Sequence, residues 1–365
     1  MVAALAARVN VVRLGVTNFR NLEEVTLRPA LDGLTVVRGL NGAGKTSLLE
    51  ALAYCSTLRS FRGVPREALV STGAQRANVA CEVVVDSRRV DIAVDIELGH
   101  RDRVTKNGRR VDSGREMLHS LRTTLFTPDD LAIVKEGPAG RRDLIDEAIE
   151  ATWPRMAAEK RSLDRVLRHR NALLRQAGAR LDADALHTLD VWDEQLAESG
   201  ERVASAREAV VGELAPAADE AFASLAPSAG PLRLRYVRSF EGDLRSAIAR
   251  ARHDDLRRQV TTVGPQRDDL EIEAGGLDAR TRLSQGRQRA TALALKLSTH
   301  RLVASKTGAT PVLLLDDAFS ELDERTAAAL MAELPVGQAL LTTAGSLPPG
   351  ARADTEVLLA DGRIA

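Results

Sequence analysis

The stretch Gly39-Leu40-Asn41-Gly42-Ala43-Gly44-Lys45-Thr46 decides the fold of this chain. An apolar run at residues 34–37 precedes it, and a helix-forming run at residues 47–52 follows it. Strand, glycine-rich loop and helix in this order are typical of a P-loop, in which glycines let backbone N–H groups surround phosphate oxygens. The N-terminus of the following helix adds partial positive charge. The pattern therefore predicts an α/β protein in which residues 39–46 form a phosphate-binding loop.

A second run carries the acidic groups that accompany a P-loop. Residues 311–315 are mostly apolar and lead into Asp316 and Asp317, which is the Walker B pattern. In such a site Lys45 would reach the β- and γ-phosphates of ATP. The Thr46 hydroxyl and the Asp316 carboxylate would bind Mg²⁺. Asp317 would orient or deprotonate the attacking water, so Lys45 and Asp317 are the predicted catalytic residues.

A third motif, Ser284-Gln285-Gly286, opens a predicted helix that runs through residues 290–303. A serine hydroxyl and a glycine backbone at a helix N-terminus are suited to holding a γ-phosphate. If this motif and the P-loop lie on different faces of one subunit, two subunits related by a two-fold axis complete each other's ATP sites. We therefore predict that Ser284, Gln285 and Gly286 bind the nucleotide of a second copy of the chain, which makes dimerisation ATP-dependent.

Overall composition excludes several classes of protein. The 365 residues carry 51 basic and 51 acidic side chains, so any contact with nucleic acid must come from a local basic patch. Cys55 and Cys81 are too few for a disulfide framework and form no CxxC pair. The alanine-rich tail at residues 1–8 lacks a signal-peptide core, and no apolar run is long enough to span a membrane. We therefore expect a cytoplasmic protein that makes no membrane contact.

Two further segments separate the motifs. Residues 79–112 alternate like an antiparallel β-meander, with a hairpin turn at Asn107-Gly108. From about residue 141 to residue 226 the composition changes to alanine, leucine, glutamate and arginine at helical spacing, which predicts an inserted helical lobe. We accordingly divide the chain into an N-terminal part of the ATPase head (1–140), the helical lobe (141–230) and a C-terminal part of the head (231–365).

Details of the lobe carry two more expectations. Gly178, Gly200 and Pro216 should interrupt its helices and prevent one very long coiled coil. The alternation at residues 231–237 predicts a strand that returns to the P-loop sheet.

Two arginine features remain open to two interpretations each. Residues 165–175 combine arginines with apolar residues at helical spacing, which fits either a solvated helix face or a track for DNA phosphates. Arg20 lies in a turn after the first strand and either approaches the nucleotide from the side or belongs to a surface turn.

Several strings together resemble the RecF family of bacterial replication and repair ATPases, which are of the ABC/SMC type. The resemblance covers nearly the whole chain and implies an ATP-dependent homodimer that binds double-stranded DNA at single-strand gaps. It also implies that RecO and RecR proteins cooperate with it to load recombinase. The strings are Asn18-Phe19-Arg20-Asn21, Asn41-Gly42-Ala43-Gly44-Lys45-Thr46, Leu58-Arg59-Ser60-Phe61-Arg62, Leu125-Phe126-Thr127-Pro128-Asp129-Asp130-Leu131, Val134-Lys135-Glu136-Gly137-Pro138, Arg141-Arg142-Asp143, Gly264-Pro265-Gln266-Arg267-Asp268-Asp269-Leu270, Leu283-Ser284-Gln285-Gly286 and Leu314-Leu315-Asp316-Asp317.

Departures from the pattern concern the chemistry of hydrolysis. Many ABC ATPases carry glutamate after the Walker B aspartate and histidine after the last strand, whereas this chain has Asp317 and Thr343. We therefore expect slow ATP hydrolysis. Arg287 stands where the family commonly has glutamine, and Gln266 where it often has histidine. Two alternatives are a structural DNA clamp that uses ATP only as a conformational ligand, and the nucleotide-binding subunit of a transporter.

Overall fold

A computed structural model describes residues 7–111, 117, 120–153, 155–177, 183–348 and 350–365. Residues 1–6 of the predicted N-terminal tail, residue 112 of the predicted meander and Gly178 lie outside these ranges. The strands are β1 Ala7–Phe19, β2 Leu22–Leu27, β3 Gly33–Arg38, β4 Arg76–Val85, β5 Arg88–Glu97, β6 Arg103–Lys106, β7 Arg109–Arg110, β8 Thr123–Phe126, β9 Leu232–Val237, β10 Asp269–Ala274, β11 Leu277–Asp278, β12 Ala309–Thr310, β13 Val312–Asp316, β14 Gln338–Thr343, β15 Thr355–Ala360 and β16 Arg363–Ile364. The helices are α1 Lys45–Thr57, α2 Ala132–Lys135, α3 Pro138–Thr152, α4 Met156–Ala177, α5 Ala183–Leu225, α6 Leu244–Arg258, α7 Ala279–Arg282, α8 Gln285–Thr307 and α9 Glu324–Glu333.

The chain forms two compact units. Unit one contains the described residues up to Asp130, the short segment Ser224–Ala226, and everything described from Leu293 onward. Unit two contains Leu131–Ala223 and Pro227–Ala292. Helix α8 therefore begins in unit two and ends in unit one. No helix within the described ranges is long and apolar enough to cross a membrane.

Unit one contains the sheet that carries the P-loop, with strand order β16-β15-β3-β14-β13-β8. All neighbours from β15 to β8 run parallel. Every residue of β13 is buried, as expected of a strand in the middle of a parallel sheet that is covered on both faces. Because the strands are parallel, the carboxyl ends of β3, β14 and β13 meet at one edge. The P-loop and the Walker B aspartates follow or end these strands, so the sheet brings them together.

A second, largely antiparallel sheet in unit one contains the predicted meander. Its order is β12-β1-β4-β5-β6-β7, and β2 also pairs with β1. The turn at Asn107 and Gly108 has φ of 50° and 74°, the two positive values of a tight hairpin turn. One hydrophobic cluster includes Leu48 of α1, Val79 of β4 and Val37 of β3, so this sheet shares its core with the P-loop helix and strand. The predicted meander is therefore confirmed for its described residues.

Unit two is mainly helical and has a small sheet of its own. Apolar residues of α4, α5 and α6 form its hydrophobic core, including Leu163, Leu196 and Leu244. The strands β11, β10 and β9 form an antiparallel sheet. The bidentate ion pair of Arg141 with Asp269 joins α3 to β10, with donor–acceptor distances of 2.8 and 2.9 Å.

Two expectations for this region are wrong. Helix α5 continues through both Gly200 and Pro216, although a proline inside a helix costs about 3 kcal/mol. Burial of the apolar face around the proline, including Leu214 and Phe222, offsets that cost. Strand β9 pairs with β10 in the small sheet and does not return to the P-loop sheet. Alternation predicts that a segment is a strand, but it does not identify the partner of that strand.

Candidate nucleotide-binding site

The P-loop occupies the turn between β3 and α1. Gly42 and Gly44 have φ of 85° and 106°, which side chains rarely adopt. A Cβ on Gly44 would also lie 2.6 Å from the Leu22 side chain, and a Cβ on Gly39 would collide with the carbonyl oxygen of Leu359. Backbone conformation therefore requires glycine at residue 42, close packing requires it at residue 39, and both require it at residue 44.

Asn21 stabilises the P-loop through hydrogen bonds of its side chain. Its Nδ2 donates to the carbonyl of Gly42 at 2.8 Å, and its Oδ1 accepts from the Ser47 hydroxyl at 2.7 Å. The backbone N–H of Gly362 donates to the carbonyl of Ala43 at 3.1 Å. The sequence motifs gave Asn21 no role in the site, although it ends one of the strings that carry the family resemblance. Only the fold shows that this turn lies against the P-loop.

Lys45 is buried at the start of α1, with 8% of its surface exposed. Its Nζ donates to the carbonyls of Gly39 and Leu40 at 2.7 and 2.9 Å, so the ammonium curls back over the loop. An ammonium held at a glycine-rich loop before a helix N-terminus is suited to neutralise phosphate charge. The residue types and their arrangement therefore fit the phosphates of a nucleotide.

The Walker B carboxylate lies next to the P-loop. Asp316 Oδ1 accepts hydrogen bonds from Thr46 Oγ1 at 3.0 Å and from Thr342 Oγ1 at 2.7 Å. Burial raises the pKa of Asp316, and the two threonine hydrogen bonds oppose that shift. A hydroxyl and a carboxylate in contact form a hard oxygen donor set of the kind that binds Mg²⁺. The geometry therefore fits the divalent cation that the sequence predicts at Thr46 and Asp316.

Asp317 adopts a different backbone conformation from its neighbour. Its φ is 48°, in the left-handed region that aspartate tolerates better than most residues. Its N–H donates to Thr342 Oγ1 at 3.0 Å, and its side chain is half-buried. Thr342 Oγ1 therefore bonds the side chain of Asp316 but the backbone of Asp317. This leaves Asp317 a candidate for contact with the attacking water.

Thr342 is a site residue that the sequence motifs did not reveal. It stands opposite Asp316 in the register of β14 and β13, and its hydroxyl contacts both aspartates of the Walker B pair. A usable signal was present in the sequence, because a polar residue near the carboxyl end of a predicted parallel strand lies at the same edge as the P-loop. Thr342 and Thr343 end a predicted parallel strand and are polar, so they met this condition.

The signature residues lie in unit two, at the N-terminus of α8. Ser284, Gln285 and Gly286 are all exposed, and a Cβ on Gly286 would meet open space. Gln288 is buried beneath them and donates to the carbonyls of Ala279 and Arg280 at 3.1 and 2.8 Å. The first turn of α8 is thus anchored while its exposed face is accessible to a ligand.

Arg20 was predicted either to approach the nucleotide or to belong to a surface turn, and the contacts of its side chain differ from both. It forms a bidentate ion pair with Glu50 of α1, at 2.9 and 3.0 Å, and Glu50 is fully buried. The guanidinium also donates to the carbonyl of Ala68 at 3.3 Å. The turn before Asn21 is therefore fixed to the P-loop helix by charge, and the Arg20 side chain is largely buried.

The basic segment on α4 divides into two parts. Arg170 is fully buried and donates to Asp193 and Asp255 at 2.7 Å each. In contrast, Arg165, Arg168 and Arg175 are exposed. Their spacing places them on one side of the helix. Residues 165–175 therefore contain a buried arginine that pairs with carboxylates and other arginines that are exposed at the surface.

The match to a family model identifies the class of protein. Residues 10–339 match the model of the family described as the RecF/RecN/SMC N terminal domain. The fold is that of a P-loop ABC-type ATPase head with an antiparallel β-subdomain and a helical lobe. Among solved structures, an Smc head domain from Pyrococcus furiosus aligns with a TM-score of 0.56 and 18% identity over 98% of this chain and 95% of that one. At that identity the likeness concerns the fold alone.

Closer relatives define the family. A protein from Streptomyces avermitilis named DNA replication and repair protein RecF is 37% identical over 97% of this chain and 99% of its own length. A protein of the same name from Kineococcus radiotolerans is 38% identical over 86% of this chain and 87% of its own length. A structure described as the recombination mediator protein RecF-ATPrS in the RecFOR pathway aligns with a TM-score of 0.89 and 29% identity, covering 99% of each chain. The chain belongs to the RecF family.

Proposed function

We propose that this protein is an ATP-dependent DNA-binding protein of replication and recombinational repair that dimerises on double-stranded DNA at single-strand gaps. The observation that carries the proposal is the hydrogen bond from Thr46 to Asp316, at 3.0 Å, which unites P-loop and Walker B in one site. Relatives named as replication and repair proteins, and a solved relative described as an ATP complex in the RecFOR pathway, support it. Its place of action would be the bacterial cytoplasm, where chromosomal DNA lies.

Nucleotide binding would use the groups already placed at the sheet edge. Lys45 and the backbone N–H groups of the P-loop would hold the phosphates of ATP. Thr46 and Asp316 would hold Mg²⁺, which when bound neutralises charge that develops on the phosphates. Asn21 would keep the loop in its phosphate-binding shape. Thr342 would keep the Asp316 carboxylate turned toward Thr46.

Hydrolysis would depend on Asp317. A carboxylate in that position can orient the attacking water and accept its proton. An aspartate side chain is one methylene shorter than the glutamate common in ABC ATPases, and Thr343 at the end of β14 offers no imidazole. We therefore propose weak ATPase activity, in which bound ATP persists long enough to act as a conformational signal.

Dimerisation would complete the site. Ser284, Gln285 and Gly286 are exposed on a helix N-terminus and would bind the γ-phosphate held by the P-loop of a second copy. ATP would then favour the dimer because it binds the closed pair more tightly than the separate subunits. Hydrolysis would release the pair from DNA.

Partners are proposed from the family relationship and from surface charge. Exposed arginines on α4 would contact the phosphates of double-stranded DNA near a gap. Proteins of the RecO and RecR type would then act at the gap to load recombinase, as the pathway name of the solved relative suggests. Because the chain belongs to the RecF family, we do not propose that it is the nucleotide-binding subunit of a transporter.

The experiment that tests this proposal measures dimer formation by light scattering with ATP, with and without a gapped duplex. Wild-type protein should dimerise with ATP and more readily on gapped DNA. Lys45→Met should lose nucleotide binding and dimerisation together, because it removes the cation over the P-loop. Persistent assembly of that variant at saturating ATP would contradict the proposal. Phosphate release that DNA does not stimulate would instead favour the structural clamp.

A further inference from the structure

Strand β9 lies at the end of the small sheet in unit two, and within the described ranges β10 is the only strand that pairs with it. Two hydrogen bonds show which residues of β9 face the other edge. The N–H of Gly275, just after β10, donates to the carbonyl of Pro231 at 2.9 Å. The N–H of Leu232 instead donates to the Asp219 carboxylate of α5 at 2.8 Å. Residue 231 therefore faces β10, and residue 232 faces away from it.

Alternation along the strand extends this assignment to the rest of β9. In an antiparallel pair, the N–H and C=O of one residue point to the same side, and those of the next residue point to the opposite side. The backbone groups of Leu234 and Tyr236 therefore face away from β10, as those of Leu232 do. Asp219 satisfies only the first N–H of this edge. The N–H and C=O groups of Leu234 and Tyr236 are thus directed toward a position where a further strand can bond.

A groove with a volume of about 580 Å³ lies beside this edge. Helix α5 lines one side of it with Ala215, Pro216 and Asp219, and residues 232–235 of β9 line the other. Its volume is within the ordinary range of ligand pockets, about 300–1,000 Å³. An extended peptide that adds to a sheet edge gains affinity from main-chain hydrogen bonds and specificity from its alternate side chains. The groove offers space for such a peptide next to the backbone groups that would bind it.

The charges at the groove favour a peptide with acidic side chains. Arg235 lies on the solvent face of the small sheet and forms an ion pair with Glu271, which stands opposite it on β10. Arg233 lies on the same face, opposite Glu273. It is exposed and has no ion pair with a described residue. A strand added to the open edge would place its own side chains on the other flank of both arginines, where acidic groups are favourable and basic groups are not.

A second copy of this chain is a poorer occupant of the same edge. A two-fold pairing of β9 with itself, centred on Leu234, would place Arg233 opposite the second copy's Arg235. Like charges directly opposite each other in a sheet are destabilising. The edge therefore favours a segment of a different protein.

We propose that β9 and α5 form a peptide-binding groove, in which an extended segment of a partner protein adds to β9 as a fourth strand of the small sheet. Acidic side chains of this segment face Arg233 and Arg235, and the apolar side chains between them lie on the side of Leu234. The groove belongs entirely to unit two. Its occupation requires neither ATP nor DNA, so the proposal is independent of the ATP-driven dimer.

The first test follows amide hydrogen exchange of the full chain by NMR, with and without a short synthetic peptide in which valine and glutamate alternate. Without peptide, the N–H groups of Leu234 and Tyr236 should exchange at least tenfold faster than those of Arg233 and Arg235, which face β10. The peptide should slow exchange at Leu234 and Tyr236 at least tenfold and leave the two arginines unchanged. Equal protection of all four groups in the free protein, or no slowing with peptide, would overturn the proposal.

The second test measures affinity by fluorescence anisotropy of the labelled peptide. Wild-type protein should bind the valine–glutamate peptide at least tenfold more tightly than a peptide with lysine in place of glutamate. A peptide with methylated nitrogens along its β9-facing edge, which lacks those donors but keeps its charge, should also bind at least tenfold more weakly. Arg233→Glu should weaken binding of the original peptide at least tenfold. Arg161→Glu, an equal change of charge at an exposed position on α4, should bind like wild type.

The alternatives give different results in the same experiments. Equal affinity for the lysine peptide would refute the acidic partner, and equal affinity for the methylated peptide would refute strand addition. If Arg161→Glu loses as much affinity as Arg233→Glu, the peptide is held by overall charge and the groove is not its site. Self-association of the wild-type chain without ATP in sedimentation, changed by Arg233→Glu, would assign the edge to a second copy and also overturn the proposal.

Discussion

Thr342 Oγ1 donates a hydrogen bond to Asp316 Oδ1 at 2.7 Å, across the paired strands β14 and β13. The same hydroxyl accepts the N–H of Asp317 at 3.0 Å, and the same carboxylate oxygen accepts from Thr46 at 3.0 Å. One threonine hydroxyl therefore orients both residues of the Walker B pair. This makes Thr342 a second anchor of the proposed Mg²⁺ site, supplied by a strand that no Walker motif includes.

Thr342→Val should reduce Mg²⁺-dependent phosphate release. The change keeps the shape of the side chain but removes a hydrogen bond to a carboxylate, which contributes about 1.5–3 kcal/mol and corresponds to a loss of roughly 10- to 100-fold. Phosphate release measured against Mg²⁺ concentration checks this. Thr152→Val, which removes a hydroxyl bonded to the backbone carbonyl of Ala148 in α3, is the control. An unaltered Mg²⁺ dependence in Thr342→Val would rule out this anchoring role.

Ser284→Arg should separate ATP binding from dimerisation. Ser284 is exposed in unit two, so a larger side chain is accommodated without disturbing the core. It would nevertheless obstruct the γ-phosphate of a second copy. We expect nucleotide affinity within twofold of wild type and loss of the ATP-induced dimer in light scattering. Ala139→Arg, at an exposed position in the first turn of α3, should dimerise normally. Normal dimer formation by Ser284→Arg would reject the signature role.

Substitutions of exposed and of buried arginines on α4 should affect different properties, namely DNA binding and stability. Replacing Arg165, Arg168 and Arg175 with glutamine should weaken DNA binding and reduce the slope of log affinity against log salt by about one for each phosphate that is no longer neutralised. Stability should change little, because these side chains are exposed. Binding titrations at several salt concentrations measure the slope, and an unchanged slope would favour a solvated helix face.

Arg170→Met is the matched contrast on the same helix. It leaves the buried Asp255 without its cation and leaves Asp193 with only the longer contact to Arg252 at 3.5 Å, which should lower the free energy of unfolding by about 3–5 kcal/mol. Urea denaturation measures this decrease. The salt slope of DNA binding should stay at the wild-type value for the folded fraction. A variant that is as stable as wild type would show that this network contributes little to stability.

His300 should make stability depend on pH. Burial lowers its pKa from 6.5 to about 4. Below pH 6.5 the unfolded chain takes up a proton that the folded chain excludes, so the free energy of unfolding falls as pH drops from about 6.5 to about 4. The contribution is on the order of 3 kcal/mol. Urea denaturation across this range should be less pH-dependent in His300→Gln, whereas the exposed His100→Gln should match wild type. Equal pH dependence in all three would contradict the assignment.

Much of the nucleotide site follows from local sequence. The P-loop, the Walker B run and the signature are each short segments whose residue types report directly on backbone conformation and charge. The structure places Thr46 in contact with Asp316, while the roles of Lys45, Thr46, Asp316, Asp317 and the signature residues in binding and hydrolysis remain proposals. The helical character of residues 141–226 was also predictable, because apolar spacing reports on the helix face that is buried.

Other features depended on contacts between distant segments. Asn21 and Thr342 contact the P-loop and the Walker B pair only because the fold places them beside residues far away in the chain. The predicted break at Pro216 was wrong because packing outweighed local helix propensity. Arg170 could not be distinguished from its exposed neighbours, since an arginine among apolar residues has the same local pattern whether it faces solvent or a buried carboxylate.

By itself the sequence determined the P-loop, the acidic strand end and the α/β class, because these depend on conformational and chemical properties of consecutive residues. The tertiary structure decided which side chains hold those motifs in place, which arginines are exposed and where β9 pairs. The physical reason is that hydrogen bonds and ion pairs between distant segments depend on strand order and helix packing, which local patterns do not specify.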